Sequence, residues 1–230
     1  MKFKFLAIAG LLLFSFNLKA QSLSRVTQGV DLGFGSDFKS PSATWGPSAM
    51  YHQELSLKNF SMLRIGWGVR AYGLYTGLAN LVPRSAASSG DSLSFGSTNT
   101  FGVSFLLGAS INFGMVEIGA NTDLAGIAFG PRRSGLYSSN TLEGEGASYY
   151  NDYVYASPTS VNTMPLLFSN QNGQSEIYAR IFLVRQIGLK VGYKFGNTVL
   201  ISEVKLNNSQ RRFAAPYSFP YAALTFPIFN

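Results

Sequence analysis

Apolar residues alternate with polar residues or glycine along most of the chain from Val26 onward. Between Phe101 and Phe113, the odd positions carry Phe, Val, Leu, Ala and Ile, and the even positions are mainly Gly, Ser and Asn. This period of two is typical of β-strands whose two faces meet different surroundings. Because no amphipathic helical stretch competes with it, the pattern predicts an all-β fold.

The phase of the alternation predicts where the chain turns. Only Gly114 and Met115 separate Phe113 from Val116, and the apolar set moves there from odd to even positions. A two-residue hairpin requires such a change, since it places the two flanking residues on the same face. The sequence therefore predicts strands at 98–113 and 116–128.

A second change of phase follows the pair Gly196-Asn197, which favours a tight turn. It predicts one long strand at 176–195 and another at 198–206. Arg185 falls on the apolar face of the long strand. It marks either a bulge or the point where the strand leaves the apolar layer.

The same reasoning predicts eight strands in total. They are expected at 25–35, 43–56, 60–76, 98–113, 116–128, 176–195, 198–206 and 217–229. Short links alternate with longer links rich in Ser, Asn, Gly and Pro, so the long links all fall at one end of the sheet. An even strand number with this asymmetry predicts an eight-stranded antiparallel up-and-down transmembrane β-barrel with short periplasmic turns and longer external loops.

The large apolar side chains are expected to face lipid, because eight strands of Phe, Trp and Tyr would overfill so small an interior. The charged residues of the strands fall on the opposite face. Six acids and six bases are predicted to form a lumen charge network: Asp31, Glu54, Glu117, Asp123, Glu176 and Glu203 with Arg64, Arg70, Arg180, Lys190, Lys194 and Lys205. Such balance predicts a filled polar lumen; a narrow path for ions or small solutes is the alternative.

Composition agrees with an embedded chain. Of 230 residues, 46% are hydrophobic and 14% aromatic, whereas only 13% are charged, about half the usual share. No segment after the N-terminal region reaches the roughly 18 apolar residues of a spanning helix. The absence of Cys and the single His argue against disulfides, thiolate metal sites and most His-based sites, so no metal or cofactor is expected.

The first 20 residues have the layout of a signal peptide. Lys2 and Lys4 precede an apolar run of about twelve residues, and a polar stretch ends at Ala20. We therefore predict export, with a signal peptide at 1–20 and the mature domain at 21–230. Removing three lysines with this segment lowers the formal charge from +7 to +4.

Aromatic residues near the strand ends are expected to form interfacial girdles. They are Trp45, Tyr51, Phe60, Tyr75, Phe101, Phe113, Tyr193, Phe195, Phe226 and Phe229. Pro47, Pro220 and Pro227 lie within predicted strands, where the missing N–H interrupts a ladder.

With its export signal, its alternating segments and a last strand ending in LTFPIFN, the chain resembles the small outer-membrane β-barrel (porin-family) proteins of Gram-negative bacteria. The resemblance covers residues 21–230 and implies an outer-membrane location. It also implies recognition by the barrel-assembly machinery through Phe226 and Phe229. Asn230 follows the final Phe and Pro227 interrupts the strand, which departs from the family's signal. The family includes adhesins, structural barrels, narrow channels and a few enzymes.

His52 is the sole candidate imidazole base and lies two residues before Glu54. Some small barrels modify lipid A with a His, a Ser and an acidic residue at a lipid-facing site. The register instead directs His52 into the lumen near the periplasmic half, which predicts a place in the charge network. No catalytic residue is assigned.

The longest link, at 129–175, is expected to be an extracellular loop. It either serves as a recognition surface or shields the barrel. Its adjacent tyrosines suit recognition because Tyr gives contact area at low entropic cost, and the candidates are Tyr149, Tyr150, Tyr153 and Tyr155. Arg132 and Arg133, with Arg211 and Arg212, suggest a basic rim near lipopolysaccharide phosphates.

These features together predict a non-enzymatic outer-membrane barrel with a structural or surface-interaction role. A narrow channel and, next, a lipid-A-modifying enzyme are the alternatives. Outer-membrane lipid and lipopolysaccharide are the expected partners, an extracellular partner is unidentified, and nucleic acid is excluded by export and by the lack of any nucleic-acid motif.

Overall fold

The computed structural model describes residues 24–57, 60–83, 90–141, 144–159, 161–165, 167, 171–184 and 186–228. The predicted signal peptide at 1–20 lies outside the described residues. So do Phe229 and Asn230, and so does Arg185, the residue that interrupts the predicted alternation.

Eleven strands form one antiparallel sheet, and the described residues contain no α-helix. The strands are β1 (Ser24–Ser36), β2 (Thr44–Leu57), β3 (Phe60–Pro83), β4 (Ser92–Asn112), β5 (Val116–Phe129), β6 (Arg133–Ser138), β7 (Tyr153–Pro158), β8 (Val161–Thr163), β9 (Gly173–Val184), β10 (Ile187–Leu206) and β11 (Gln210–Ile228). Short 3-10 turns lie at Ala147–Tyr149 and Asn207–Ser209. In the part of the chain that the structure describes, no helix is long and apolar enough to cross a bilayer.

Eight of the strands pair in a closed ring. The order is β1, β2, β3, β4, β5, β9, β10 and β11, and β11 pairs again with β1, from Gln28↔Ile228 to Gly35↔Tyr221. Closure leaves neither β1 nor β11 as a free edge. The predicted all-β, antiparallel architecture is confirmed, and the ring has the predicted number of strands, but β6, β7 and β8 are three strands that were not predicted.

One predicted turn is wrong. Gly196 and Asn197 lie inside β10, paired with β9 and β11, and the chain reverses instead between Val184 and Ile187. A β-bulge follows directly, because the register shifts between Ile187 and Gly188. The extra residue cancels the change of phase that a two-residue turn produces, so the apolar set stays on odd positions through the hairpin.

The ring has two unlike ends. The strand ends that flank the short links, Leu57 with Phe60, Asn112 with Val116 and Val184 with Ile187, lie with both described chain termini at what we call the turn end. The strand ends that flank the other links, Ser36 with Thr44, Pro83 with Ser92, Phe129 with Gly173 and Leu206 with Gln210, lie at the far end. The last link is short, contrary to prediction, because β10 and β11 continue beyond the ring before they connect.

A second, smaller circuit of pairing forms at the far end. It runs through β3, β4, β6, β7, β10 and β11, and closes where Phe213 and Ala214 of β11 pair with Pro83 and Val82 of β3. We call this part the cap. The link 129–175, expected as a loop, therefore supplies two strands of a folded unit.

The cap encloses an apolar core. Its buried members are Ala79, Leu81, Leu93, Phe95, Tyr137, Val154, Ala156, Leu200, Leu206 and Phe213. The members on β3, β4 and β11 lie past the predicted ends of those strands, because the alternation continues there with the apolar side chains turned inward.

Pro47 lies within β2 without ending the strand. The ladder between β2 and β3 is interrupted there, between Trp45↔Tyr75 and Ser48↔Tyr72. The backbones approach closely at this point, because a Cβ added at Gly46 would lie 2.1 Å from the carbonyl oxygen of Gly73. Glycine is therefore required beside the proline.

Candidate functional site

The two faces of the ring have opposite character. On β4, Val103, Leu107 and Ile111 are about two-fifths exposed on the outer face, whereas Ser104 and Ser110 are buried on the inner face. Because side chains alternate along a strand, this separation follows directly from the sequence pattern. Apolar groups cover the outside, and polar groups fill the interior.

Arg180 of β9 ties together the interior near the turn end. Its Nη1 lies 3.1 Å from Oε1 of Glu54 and 2.7 Å from Oε1 of Glu117, and its Nη2 lies 3.4 Å from Oδ2 of Asp31. These carboxylates come from β2, β5 and β1. One guanidinium thus contacts three strands, two of which are not neighbours of its own.

A second group of ion pairs lies nearer the far end. Lys190 Nζ is 3.0 Å from Asp31 and 2.5 Å from Glu176, and Arg70 contacts Asp123 at 3.0 Å and Glu176 at 3.4 Å. Since Asp31 contacts both Lys190 and Arg180, the two groups form one connected network.

The predicted charged residues mostly meet in this network. Arg64 adds contacts of 2.8 Å to Glu117 and 3.6 Å to Glu54. Lys194 donates to Ser48 Oγ at 2.7 Å, and its ammonium lies 4.5 Å from the centre of the Tyr221 ring. Ten of the twelve predicted residues therefore lie inside the ring, five acidic and five basic, and their charges balance.

Glu203 and Lys205 depart from the prediction. Both are exposed on β10 beyond the ring, and Glu203 pairs with the exposed Arg132. The misplaced turn explains the error, because it assigned residues 198–206 to a separate strand of the ring. They form the cap end of β10 instead.

His52 lies within the network. Its Nε2 is 3.5 Å from Asp31 Oδ1, its Nδ1 is 3.3 Å from Glu54 Oε1, and Arg180 Nη2 is 3.3 Å from Nε2. The imidazole of His52 is buried and points into the interior of the eight-strand ring, as the register of β2 predicts. Carboxylates and a guanidinium surround it, which suits a member of a charge network.

Sequence reasoning missed the aromatic and amide members of the interior. Tyr178 is buried between Glu176 and Arg180, and a Cβ at Gly119 on the neighbouring strand would lie 2.6 Å from its ring. Asn121 donates to Glu176 at 2.6 Å and accepts from Arg70. Both share the parity of the charged residues on their strands, and that parity is the signal by which they could have been found.

Little space remains in the middle of the ring. A void of about 20 Å³ lies beside His52, Glu54 and Arg180, roughly the room of one water molecule. At the turn end, a recess of about 510 Å³ stops at these side chains. At the far end, a recess of about 480 Å³ lies beside Thr44, Gln174 and Tyr217. The cap encloses its apolar core beyond the ring, and burial there raises the pKa of the Tyr137 hydroxyl.

A buried amide joins the ring to the cap. Asn172 donates from Nδ2 to the Val199 carbonyl at 2.9 Å and accepts from the Val199 N–H at 2.7 Å. Val199 lies on β10 between the residues paired with β9 and those paired with β7. The side chain thus substitutes for a strand where one partner ends and the next begins.

Aromatic side chains form a row on the outer face near the far end of the ring. Trp45 stacks on Tyr75 with 4.2 Å between centroids, and Phe101 stacks on Phe129 at 6.0 Å. Phe34 extends the row, 5.8 Å from Trp45. At the turn end, Phe60 and Phe113 are exposed, whereas Phe226 is only half-exposed.

The predicted recognition tyrosines do not share one surface role. Tyr149 is half-buried against the core of the cap. Tyr150 is exposed beside it, and Tyr153 and Tyr155 project from the outer face of β7.

The chain matches no protein-family model and no curated protein sequence.

Proposed function

We propose that this chain is a non-enzymatic outer-membrane β-barrel protein with a filled polar lumen and a structural or surface-interaction role. The observation that carries the proposal is the inverted sidedness of the ring. Buried Arg180, Arg70 and Lys190 lie inside with their carboxylates, whereas large apolar side chains cover the outside. Water would not select an apolar exterior of this extent, but lipid would.

The size of the apolar exterior supports a single crossing of the bilayer by each strand. On β4, apolar side chains occupy every odd position from Phe101 to Ile111, a stretch that matches the roughly 9–11 residues of a tilted transmembrane strand. Aromatic residues flank the band at both ends, as interfacial girdles do.

Orientation follows from the two ends. Short turns and chain termini face the periplasm in barrels of this kind, so the cap would lie outside the cell. The resemblance of the last strand adds a partner during biogenesis, the barrel-assembly machinery, with Phe226 in β11 as one recognition residue.

The filled interior favours a structural or surface role over conduction. Oppositely charged side chains pair across the ring. The cap, with exposed Tyr150, Tyr153 and Tyr155, would lie on the extracellular side. That surface is the part of the molecule available to an extracellular partner.

Membrane fractionation and gel mobility test the proposal. We expect the protein in the outer-membrane fraction, and we expect the unheated sample to migrate differently from the boiled one, because a closed sheet in detergent stays folded. Recovery in a soluble fraction, with identical mobility before and after boiling, would contradict it.

A further inference from the structure

A cluster of basic side chains lies on the outer face of the cap, where β10 bulges. Ile201 pairs with Arg212 and Leu206 pairs with Gln210, so four residues of β10 stand opposite Arg211 alone. The bulge turns Glu203 and Lys205 outward. The basic patch, as we call it, comprises the exposed side chains of Arg132, Lys205, Arg211 and Arg212, together with Glu203.

The side chain of Arg211 is held against the β10 bulge by hydrogen bonds to backbone carbonyls of the bulge. Its Nε donates to the Ser202 carbonyl at 2.9 Å, and its Nη2 donates to the Glu203 carbonyl at 3.3 Å. These bonds use one edge of the guanidinium and fix its orientation. The exposed side chain is therefore more ordered than a solvated surface arginine.

Arg132 contacts the side chain of Glu203, whose backbone carbonyl accepts from Arg211. It forms an ion pair with the Glu203 carboxylate, and its guanidinium carbon lies 3.9 Å from the centre of the Tyr155 ring. A cation over an aromatic face is held in place by the electrostatics of the ring. Arg132 thus holds the carboxylate of Glu203, and Arg211 holds its backbone carbonyl.

The charge of this patch is unbalanced, unlike that of the interior. Its members are four basic side chains and one acidic side chain, which leaves a formal surplus of three positive charges. The patch also lies close to the apolar band, since Arg132 follows only three residues after Phe129 of the aromatic row. Three residues span at most about 10 Å.

We infer that the basic patch binds the phosphate of an anionic lipid headgroup in the outer leaflet. The inference rests on the proposed function, which places this level of the molecule beside the headgroups. A guanidinium matches the geometry of phosphate oxygens, and the Glu203 carboxylate occupies the position on Arg132 that a phosphate would take. Glu203 therefore competes with the lipid for Arg132.

Fluorescently labelled phosphatidic acid in neutral-detergent micelles is the probe, and the full chain refolded in the same detergent is the protein. Labelled phosphatidylcholine, whose headgroup has no net charge, is the comparison lipid. Binding is measured by fluorescence anisotropy at low and high salt. The variants are Arg132→Gln, Arg212→Gln and Glu203→Gln, with Lys39→Gln as the matched control, because Lys39 is an exposed base at the same end on a different link.

We expect phosphatidic acid to bind the unaltered protein more tightly than phosphatidylcholine, and high salt to weaken it. Arg132→Gln and Arg212→Gln should each weaken binding about fivefold. Glu203→Gln should strengthen it by a similar factor, and Lys39→Gln should leave it unchanged. An ion pair with a purely structural role predicts no gain from Glu203→Gln.

Equal binding of the two lipids, or no response to the arginine and glutamate variants, would overturn the inference. Displacement of the labelled lipid by an equal concentration of inorganic phosphate would also overturn it, since the site would then take the free ion. Gel mobility of each variant distinguishes failure of the lipid site from failure of the proposed function. Variants that stay heat-modifiable but do not respond to lipid contradict the lipid site alone.

Discussion

Arg180 and Arg132 both pair with carboxylates, but they differ in burial. Arg180 is 1% exposed and contacts three carboxylates, whereas the side chain of Arg132 is 55% exposed. Removing a buried partner leaves uncompensated charge in a medium of low dielectric constant, so we expect Arg180→Gln to lower the free energy of unfolding by about 3–5 kcal/mol. For Arg132→Gln we expect about 1 kcal/mol or less. Denaturant titration in micelles, followed by tryptophan fluorescence, measures both, and equal losses would contradict the network.

Gly46 and Gly96 form a second matched pair of single residues. A Cβ at Gly46 would lie 2.1 Å from the Gly73 carbonyl oxygen, whereas a Cβ at Gly96 would have no atom within 4 Å. Because a backbone oxygen cannot move without shifting β3, we expect Gly46→Ala to cost about 1–3 kcal/mol. Gly96→Ala should leave the unfolding midpoint unchanged or slightly raised. A Gly46→Ala protein as stable as Gly96→Ala would show that β2 and β3 lie further apart beside Pro47.

At the scale of elements, the alternation predicted most ring strands but not how two of them connect. The hairpin of β4 and β5 obeys the phase rule, so its turn was predicted within one residue. The hairpin of β9 and β10 contains a bulge at Leu183, opposite Ile187 and Gly188, which restores the phase, so the turn leaves no sign in the alternation. A two-residue turn moves the apolar residues from odd to even positions, and a one-residue bulge moves them back. A turn next to a bulge therefore leaves the alternation of an uninterrupted strand.

The strands β6 and β7 were missed for a different reason. Each is only six residues long, and the link that contains them is rich in Ser, Gly and Asn, so the sequence predicts a loop. They become strands because β4 and β10 extend beyond the ring and offer edges to pair with. Tertiary context, not local propensity, decides such segments.

Replacing residues 133–157 with a short Gly-Ser linker tests the separation of ring and cap. The ends can be joined without strain, since Pro158 packs against Gly130. We expect the ring to remain folded and heat-modifiable, because none of its eight strands is removed. The core of the cap should open, so that proteases cleave near Leu81 and Leu93 and apolar dyes bind. Loss of the folded gel form would instead show that ring and cap fold as one unit.

At the scale of the whole molecule, inner and outer faces could be predicted, but contacts across the interior could not. Parity alone assigns Arg180, Glu54 and Glu117 to the inner face. Which of them meet depends on how far each strand is shifted along its neighbours, and that shift is set by bulges such as the one between Phe105 and Leu106. The sequence pattern predicts the face of the sheet on which a side chain lies. Its position along the axis of the ring also depends on the register of its strand.

Two independent closures block the interior, and this leads to a prediction about conduction. The charge network fills the middle of the ring, and an apolar core fills the circuit of strands that continues beyond its far end. We expect no stable conductance steps from the intact protein in planar bilayers, and none from the variant lacking residues 133–157, since the network persists when the cap is removed. Arg180→Gln in that variant is the informative combination, because it removes a side chain that joins three strands across the ring. Brief, small steps are expected from this combined variant and from no other.

Large, stable steps from the intact protein would contradict the filled interior and favour a narrow channel. Steps that appear when only the cap is removed would show that the cap closes the interior.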